Sequence, residues 1–532
     1  MAVRRFVVSS AVPLTAVLIV TAGCSDPQPA AGKVDPPVAP GGAPTTAPPQ
    51  AGGGMVKEGW FGGVDGLHAR VEVKGVERQA TRSVLRLTLT PLPSGTPSPS
   101  APSSSTSSAP STSATGGTMS FAVSLLDPVG RKYYRPLGGG QPSQLAVGAA
   151  QEMAVEYPAL PPDVQRVTVI TPGTAGEFTG VPVTAGTGGV PSTSGVGATT
   201  STASPSPSAG TTETPGGGAA DLYGVTEGET RDVISSPAEE SLSLRADVLF
   251  DSGSDKPSGR AKQVLDQAAA DIRQKADTTG QPIAVDGYTD SAGGESQNLD
   301  LSRRRAEAVM KELKNRLGET FKYAATGKGE ADPVAQEGGS GDATARARNR
   351  RVEITYRVRQ QTPGATPSAS ATPSVTVTPS ASASAPPATF RAQDGTTVAS
   401  RTGQFGQAKR RLNVKPFYRD GAYLVAVFEI VNEGPGNTPP DASYPHPDYP
   451  GGAFTAFSVS VPGAKDVYRA VRIGAAAPRA YATYVDPGRA TFRTGVGQPV
   501  RGFAYIPAPP GNVRKVTFDA GSFGKVDNVP VN

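Results

Sequence analysis

Residues 250–258 read F-D-S-G-S-D-K-P-S, residues 287–306 read G-Y-T-D-S-A-G-G-E-S-Q-N-L-D-L-S-R-R-R-A, and residues 349–356 read N-R-R-V-E-I-T-Y. Between these stretches the hydrophobic period alternates between two and 3.6. A short strand is expected at 245–250. Ala261, Val264, Leu265, Ala268 and Ile272 recur at helical spacing and predict an amphipathic helix over 258–275. A strand follows at 282–288. Ser302, Ala306, Val309, Met310, Leu313 and Leu317 form one stripe of a second helix over 298–317. Strands at 321–326 and 350–358 close the segment. The order β-α-β-α-β-β predicts an α+β two-layer sandwich spanning 240–359.

Outward from this segment the pattern changes to strands. Leu85–Leu89, Phe121–Leu125 and Arg166–Ile170 alternate or are β-branched. The segment 55–184 therefore reads as a β-sandwich domain, with a Ser/Thr/Pro-rich disordered insert at 93–118. The segment 389–532 is again strand-rich, with runs at 423–431, 457–461 and 513–518. Its end repeats the first: Y-P-A-L-P-P-D-V-Q-R-V-T-V from Tyr157 aligns with I-P-A-P-P-G-N-V-R-K-V-T-F from Ile506, and Val181-Pro182-Val183 with Val529-Pro530-Val531. Two related β-sandwich domains of immunoglobulin-like size thus flank the central one, making a multidomain chain.

Composition supports this division. The chain has 532 residues, too many for one core, and its 64 Gly and 52 Pro are concentrated in blocks. The blocks at 185–218 and 361–387 read as flexible linkers. The first could reach on the order of 100 Å at about 3.1 Å per residue. A net charge of +5 without an aromatic-interleaved basic stripe argues against nucleic acid. A single cysteine, Cys24, excludes an intrachain disulfide and cysteine-based zinc sites. Two distant histidines, His68 and His446, supply little for a metal cluster or a histidine-based catalytic site. No cofactor, metal or catalytic set is expected, and the chain does not read as an enzyme.

The N-terminus carries a different signal. Arg4 and Arg5 precede an apolar run at 6–20, shorter than the roughly 20 residues of a membrane span. Residues 1–23 read as an export signal. Thr21-Ala22-Gly23-Cys24 resembles a bacterial lipobox, with Thr21 where Leu is usual; the resemblance implies a lipid on Cys24. Residues 24–54, rich in Pro, Gly and Ala, form a tether.

The central segment resembles the OmpA-like peptidoglycan-binding domain of outer-membrane OmpA proteins, peptidoglycan-associated lipoproteins and flagellar MotB proteins. The matching residues are Phe250-Asp251, Gly287-Tyr288-Thr289-Asp290, Asn298-x-x-Leu301-Ser302-x-x-Arg305-Ala306, Gly327-x-Gly329-Glu330-x-x-Pro333, and Arg346-x-x-Asn349-Arg350-Arg351-Val352-Glu353-Ile354. They cover about 115 residues, a fifth of the chain. Tyr288 departs from the family, which usually carries His there. The resemblance implies a ligand, the diaminopimelate of the peptidoglycan stem peptide, whose free end carries an ammonium and a carboxylate on one carbon. It assigns the anion to Asp290 and the cation to Arg305, with Asn298, Thr289, Arg346 and Arg351 as further contacts. A helical wheel excludes Arg304 but leaves Arg303 and Arg305 open, and the choice of Arg305 rests mainly on the family. The resemblance and the N-terminal signal together imply a cell-envelope lipoprotein, lipid-anchored on the extracytoplasmic side, that ties membrane to cell wall. The Ala/Pro/Ser/Thr/Gly linkers suggest a high-GC bacterium. The alternative is a wall-anchored adhesion protein whose β-domains bind an unknown protein or glycan. The loop Tyr444-Pro445-His446-Pro447-Asp448-Tyr449-Pro450 stands apart as a rigid, aromatic, proline-rich surface turn, with a contact surface as the alternative.

Overall fold

The computed structural model describes residues 54–61, 67–93, 122–138, 148–186, 218–339, 341–360, 385–439, 442–475, 482–487 and 495–532. The segment 1–54, the insert at 93–118 and the linkers at 185–218 and 361–387 fall almost wholly outside these residues.

Two parts of the chain form the same arrangement of strands. In the first, Met55–Phe61, Leu67–Arg78, Arg82–Pro91 and Gln151–Pro158 pair antiparallel in that order. A second sheet runs Lys132–Tyr134, Ser124–Asp127, Arg166–Ile170, Glu177–Ala185. Val71, Leu85 and Leu87 of one sheet share a core with Leu125, Val167 and Val181 of the other. At the C-terminus, Ala399–Phe405, Ala408–Val414, Tyr423–Gly434 and Pro499–Pro507 repeat the first sheet. Val467–Tyr468, Ser458–Ser460, Lys515–Asp519 and Lys525–Pro530 repeat the second. The duplication seen at 157–169 and 506–518 extends strand for strand through both units.

Between them lies a mixed sheet with helices. Its elements are β1 (Ala219–Glu227), β2 (Arg231–Ser235), β3 (Glu239–Arg245), α1 (Ala246–Leu249), α2 (Ala261–Lys275), β4 (Ile283–Tyr288), α3 (Glu295–Leu317), β5 (Tyr323–Gly329), α4 (Asp342–Asn349) and β6 (Arg351–Arg357). The sheet order is β1-β2-β3-β6-β4-β5, antiparallel except for the parallel pair β4–β5. Leu242, Leu244, Ile283, Val285, Val352 and Ile354 meet the apolar stripes of α2 and α3. The strand expected at 245–250 ends at Arg245. Ala246, Leu249 and Phe250 are all buried, a spacing of three and four that turns the backbone into one helical turn. The short helix α4 precedes the last strand, where the sequence pattern predicts none.

Strand β1, which lies in a stretch the sequence leaves unassigned, joins all three units. Its residues 219–221 pair with Lys132–Tyr134, and 226–227 with Val467–Tyr468, the corresponding strand of each repeat. The repeats also bury one another. Tyr423–Gly434 begins with an unbroken apolar run, the mark of a strand covered on both faces. Leu424, Ala426 and Phe428 enter their own core, while Tyr423, Val425 and Val427 meet Leu126 and Ile170 of the first repeat. An ion cluster lies at the same interface. Arg501 donates to Glu177 at 2.6 and 3.0 Å and to Asp394 at 2.7 and 2.8 Å. Tyr418 donates to Glu177 at 2.6 Å, and Lys57 donates to the Glu177 carbonyl at 2.6 Å. The folded parts therefore form one compact unit over Gly53–Asn532 rather than separate bodies on linkers.

The helical domain is latched to the C-terminal repeat through α4. Arg348 donates to Asp448 and to the Tyr449 hydroxyl at 3.1 Å, and pairs with Glu227 of β1 at 3.0 Å. Tyr449 donates to Glu227 at 2.6 Å, and Arg469 does so at 2.8 Å. Asp448 and Tyr449 of the loop 444–449 thus meet the neighbouring domain, while Pro445 and Pro447 stay exposed.

Candidate ligand-binding site

The site forms where the C-terminal end of β4 runs into α3. Two glycines allow the helix to approach the sheet closely. A Cβ at Gly287 would collide with the Ser302 carbonyl. One at Gly327 would lie 2.6 Å from the Arg303 nitrogen and 2.7 Å from the Leu299 oxygen. Ser302 completes the joint, accepting from the Gly329 amide at 2.9 Å and donating to the Leu299 carbonyl at 2.8 Å. The motif residues Gly287, Ser302, Gly327 and Gly329 thereby set the height of Arg305, one turn further along α3. Gly287→Ala is expected to destabilise the protein by roughly 1–3 kcal/mol, because backbone must move to admit the methyl. The urea midpoint should fall relative to Gly259→Ala, where a Cβ meets open space.

Arg305 is 5% exposed. Its Nε donates to the Ser254 carbonyl at 3.0 Å, and its guanidinium lies 5.3 Å from the centre of the Phe250 ring. That bond through Nε is the one side-chain hydrogen bond Arg305 makes among the described residues, so its terminal nitrogens take no acceptor there. Burial lowers its pKa, while Asp247, Asp290 and Asp255 act in the opposite sense; an arginine so placed remains a cation at neutral pH.

Asp290 begins the loop before α3, with its side chain 12% exposed. One oxygen accepts from Arg350 at 2.6 Å and the other from the Ala292 amide at 3.3 Å. Arg350 also grips Asp247 with two bonds, at 2.9 and 2.6 Å. The Arg350 hydrogen bond holds Asp247 below the usual carboxylate range. Two carboxylates, Asp247 and Asp290, thus alternate with two guanidiniums, Arg350 and Arg305. Asn298 closes the loop, donating to the Asp290 carbonyl at 3.4 Å and to Glu330 at 3.1 Å. The Thr289 amide donates to Gly329 at 2.8 Å, while its buried hydroxyl has no partner among the described residues.

Asp290, Arg305, Asn298 and Thr289 therefore come together. Arg346 sits one step away, paired with Asp342 at 2.9 Å and 3.6 Å from Glu337, which accepts from the Ser291 hydroxyl at 2.5 Å. Arg351 is not brought to the site. It is buried against Tyr288, 3.6 Å from the ring centre, and donates to the Asp332 carbonyl at 3.1 Å. Strand parity explains this. Val352, Ile354 and Tyr356 line the helix-covered core, so Arg350 shares their side and Arg351 points to the other face with Glu353. The same parity, present in N-R-R-V-E-I-T-Y, is the signal that would have found Arg350.

The site offers a cation to an anionic group at the Arg305 terminal nitrogens and an anion to a cationic group at Asp290, each through charge-assisted hydrogen bonds.

A model of the OmpA family matches residues 249–350. The chain is 37% identical over 143 residues to "Outer membrane protein A" of Bordetella avium, covering 26% of this chain and 70% of that protein. It is 33% identical over 150 residues to "Probable lipoprotein YiaD" of Escherichia coli, covering 26% of this chain and 65% of that protein, just under two thirds of its length. A solved structure, the cell wall anchor of the T6SS from Pseudomonas aeruginosa, is 27% identical over 25% of this chain and 90% of that chain, with a TM-score of 0.22. The chain belongs to the OmpA family.

Proposed function

We propose that the protein is a cell-envelope lipoprotein that binds peptidoglycan non-covalently through the diaminopimelate of the stem peptide, and so ties a membrane to the wall. The alternation Asp247–Arg350–Asp290 beside the buried Arg305 carries this reading. Membership in the OmpA family supports it, as does the E. coli relative, whose name is that of a probable lipoprotein. Arg305 takes the ligand carboxylate and Asp290 its ammonium, while Arg350 fixes Asp290 and Thr289 and Asn298 line the loop. The protein acts as a tie and not as a catalyst. Its lipid sits on Cys24, which lies outside the described residues.

The test compares two wall types in a sedimentation assay with the full chain. Diaminopimelate-type peptidoglycan should retain the protein. Lysine-type peptidoglycan should not, because lysine's side chain has the ammonium but no carboxylate for Arg305. Equal retention on both defeats the clamp. For the anchor, Cys24→Ser should move the protein from the membrane fraction to the soluble fraction or medium; an unchanged membrane fraction would show that no lipid at Cys24 holds it.

A further inference from the structure

A cleft of about 940 Å³ opens between the helical domain and the C-terminal repeat. Glu337, Gly338, Gly339 and Thr344 are on one wall, and His446 and Lys465 are on the other. The cleft starts where the clamp ends. Glu337 lines it and also holds Ser291, the neighbour of Asp290. A side chain added at Gly338, Gly339 or Gly341 would meet nothing within 4 Å, so the backbone of this rim is open to close approach. On the far wall Lys465 pairs, among the described residues, with Glu229 alone, both largely exposed, a contact weak enough to exchange for a ligand carboxylate. The Arg348 latch fixes the two walls relative to each other.

We propose that this cleft is the second half of the ligand site and takes the peptide that continues from the diaminopimelate residue. The inference rests on the clamp of Asp290 and Arg305 holding diaminopimelate. The lining decides between peptide and glycan. Among the described residues it contains no Phe, Tyr or Trp on which the apolar face of a sugar could lie, and it offers uncovered backbone and exchangeable charge, which suit amides and carboxylates. The C-terminal repeat, joined to the helical domain through β1 and α4, thereby contributes directly to recognition.

Calorimetric titration of the full chain with two probes tests this. Free meso-diaminopimelate fills the clamp alone, and the tetrapeptide L-Ala–γ-D-Glu–meso-diaminopimelate–D-Ala reaches the cleft. The tetrapeptide should bind roughly tenfold or more tightly than the free amino acid. Thr344→Phe, which fills the cleft from an exposed helix position, and Lys465→Ala should each remove most of that gain while leaving diaminopimelate affinity unchanged. If the two probes bind alike, or if neither substitution changes tetrapeptide affinity while diaminopimelate still binds, the cleft is not part of the site. If only a probe carrying the disaccharide gains from the cleft, glycan occupies it and the peptide assignment is wrong. If neither probe binds the unaltered protein, the clamp and the cleft fall together.

Discussion

Asp290→Ala and Arg305→Ala should each reduce retention on diaminopimelate-type peptidoglycan to background. Truncating one partner of a desolvated charge pair costs about 2–5 kcal/mol, or roughly 30- to several thousand-fold in affinity. The two losses differ in origin. Arg305→Ala removes the buried guanidinium at the site whose side chain makes a single hydrogen bond, through Nε, among the described residues. Asp290→Ala removes the acceptor for the ammonium, and it leaves Arg350 held by both oxygens of Asp247 rather than stranded. For that reason the fold should survive both changes, and urea midpoints should move far less than for Gly287→Ala. Arg305→Lys separates charge from geometry: it keeps the cation but gives up the two-pronged grip, so partial retention is expected. Full retention by both alanine variants would move the ligand elsewhere on the protein.

The helical domain was legible in the sequence because its apolar stripes are long and its glycines have steric reasons. Ala306, Val309 and Leu313 announce α3, and Gly287 and Gly327 lie where that helix touches the sheet. Strand parity puts Arg350 on the helix-covered side, but its partners are tertiary: it bridges Asp290 and a carboxylate from α1, and neither of those pairings follows from local spacing. Strand β1 was missed for a similar reason. It follows a linker and, besides its hairpin partner β2, pairs with strands of both repeats that are distant in the chain. The composition of the linkers suggested independent bodies. What overrode that expectation was written in the strand beginning at Tyr423, whose apolar run does not alternate and needs a second partner for its outer face.

That second partner makes the largest stability prediction. Glu177→Gln should destabilise the Gly53–Asn532 unit by about 3–5 kcal/mol, because it removes a buried carboxylate that offsets both Arg501 and Lys57 and leaves Asp394 as the one acidic partner of Arg501 among the described residues. Glu177 is 1% exposed, and its carboxylate meets Arg501 of the other repeat with two bonds and the Tyr418 hydroxyl with one. Burial alone raises the Glu177 pKa; the charges of Arg501 and Lys57 outweigh it and hold the group at about 2. A depressed carboxylate stabilises the fold fully above its unfolded value of 4.5, and that contribution is lost as pH falls through about 2. Lys57 behaves oppositely. Burial lowers it from 10.5 to about 8, against the pull of Glu177. Between pH 8 and 10.5 the unfolded chain then binds the extra proton, so stability rises with pH across that window by up to about 3 kcal/mol. Lys57→Met should flatten this rise, since it removes the titrating amine and leaves Glu177 with Arg501. Urea unfolding at pH 7 and across pH 8–10.5 reads both effects. Glu152→Gln, which breaks an exposed pair with Lys74, serves as the control and should leave the urea midpoint nearly unchanged. If Glu177→Gln unfolds with the control, the repeats are not held together by this cluster, and the wall of the cleft formed by the C-terminal repeat depends on the Arg348 latch and β1 alone.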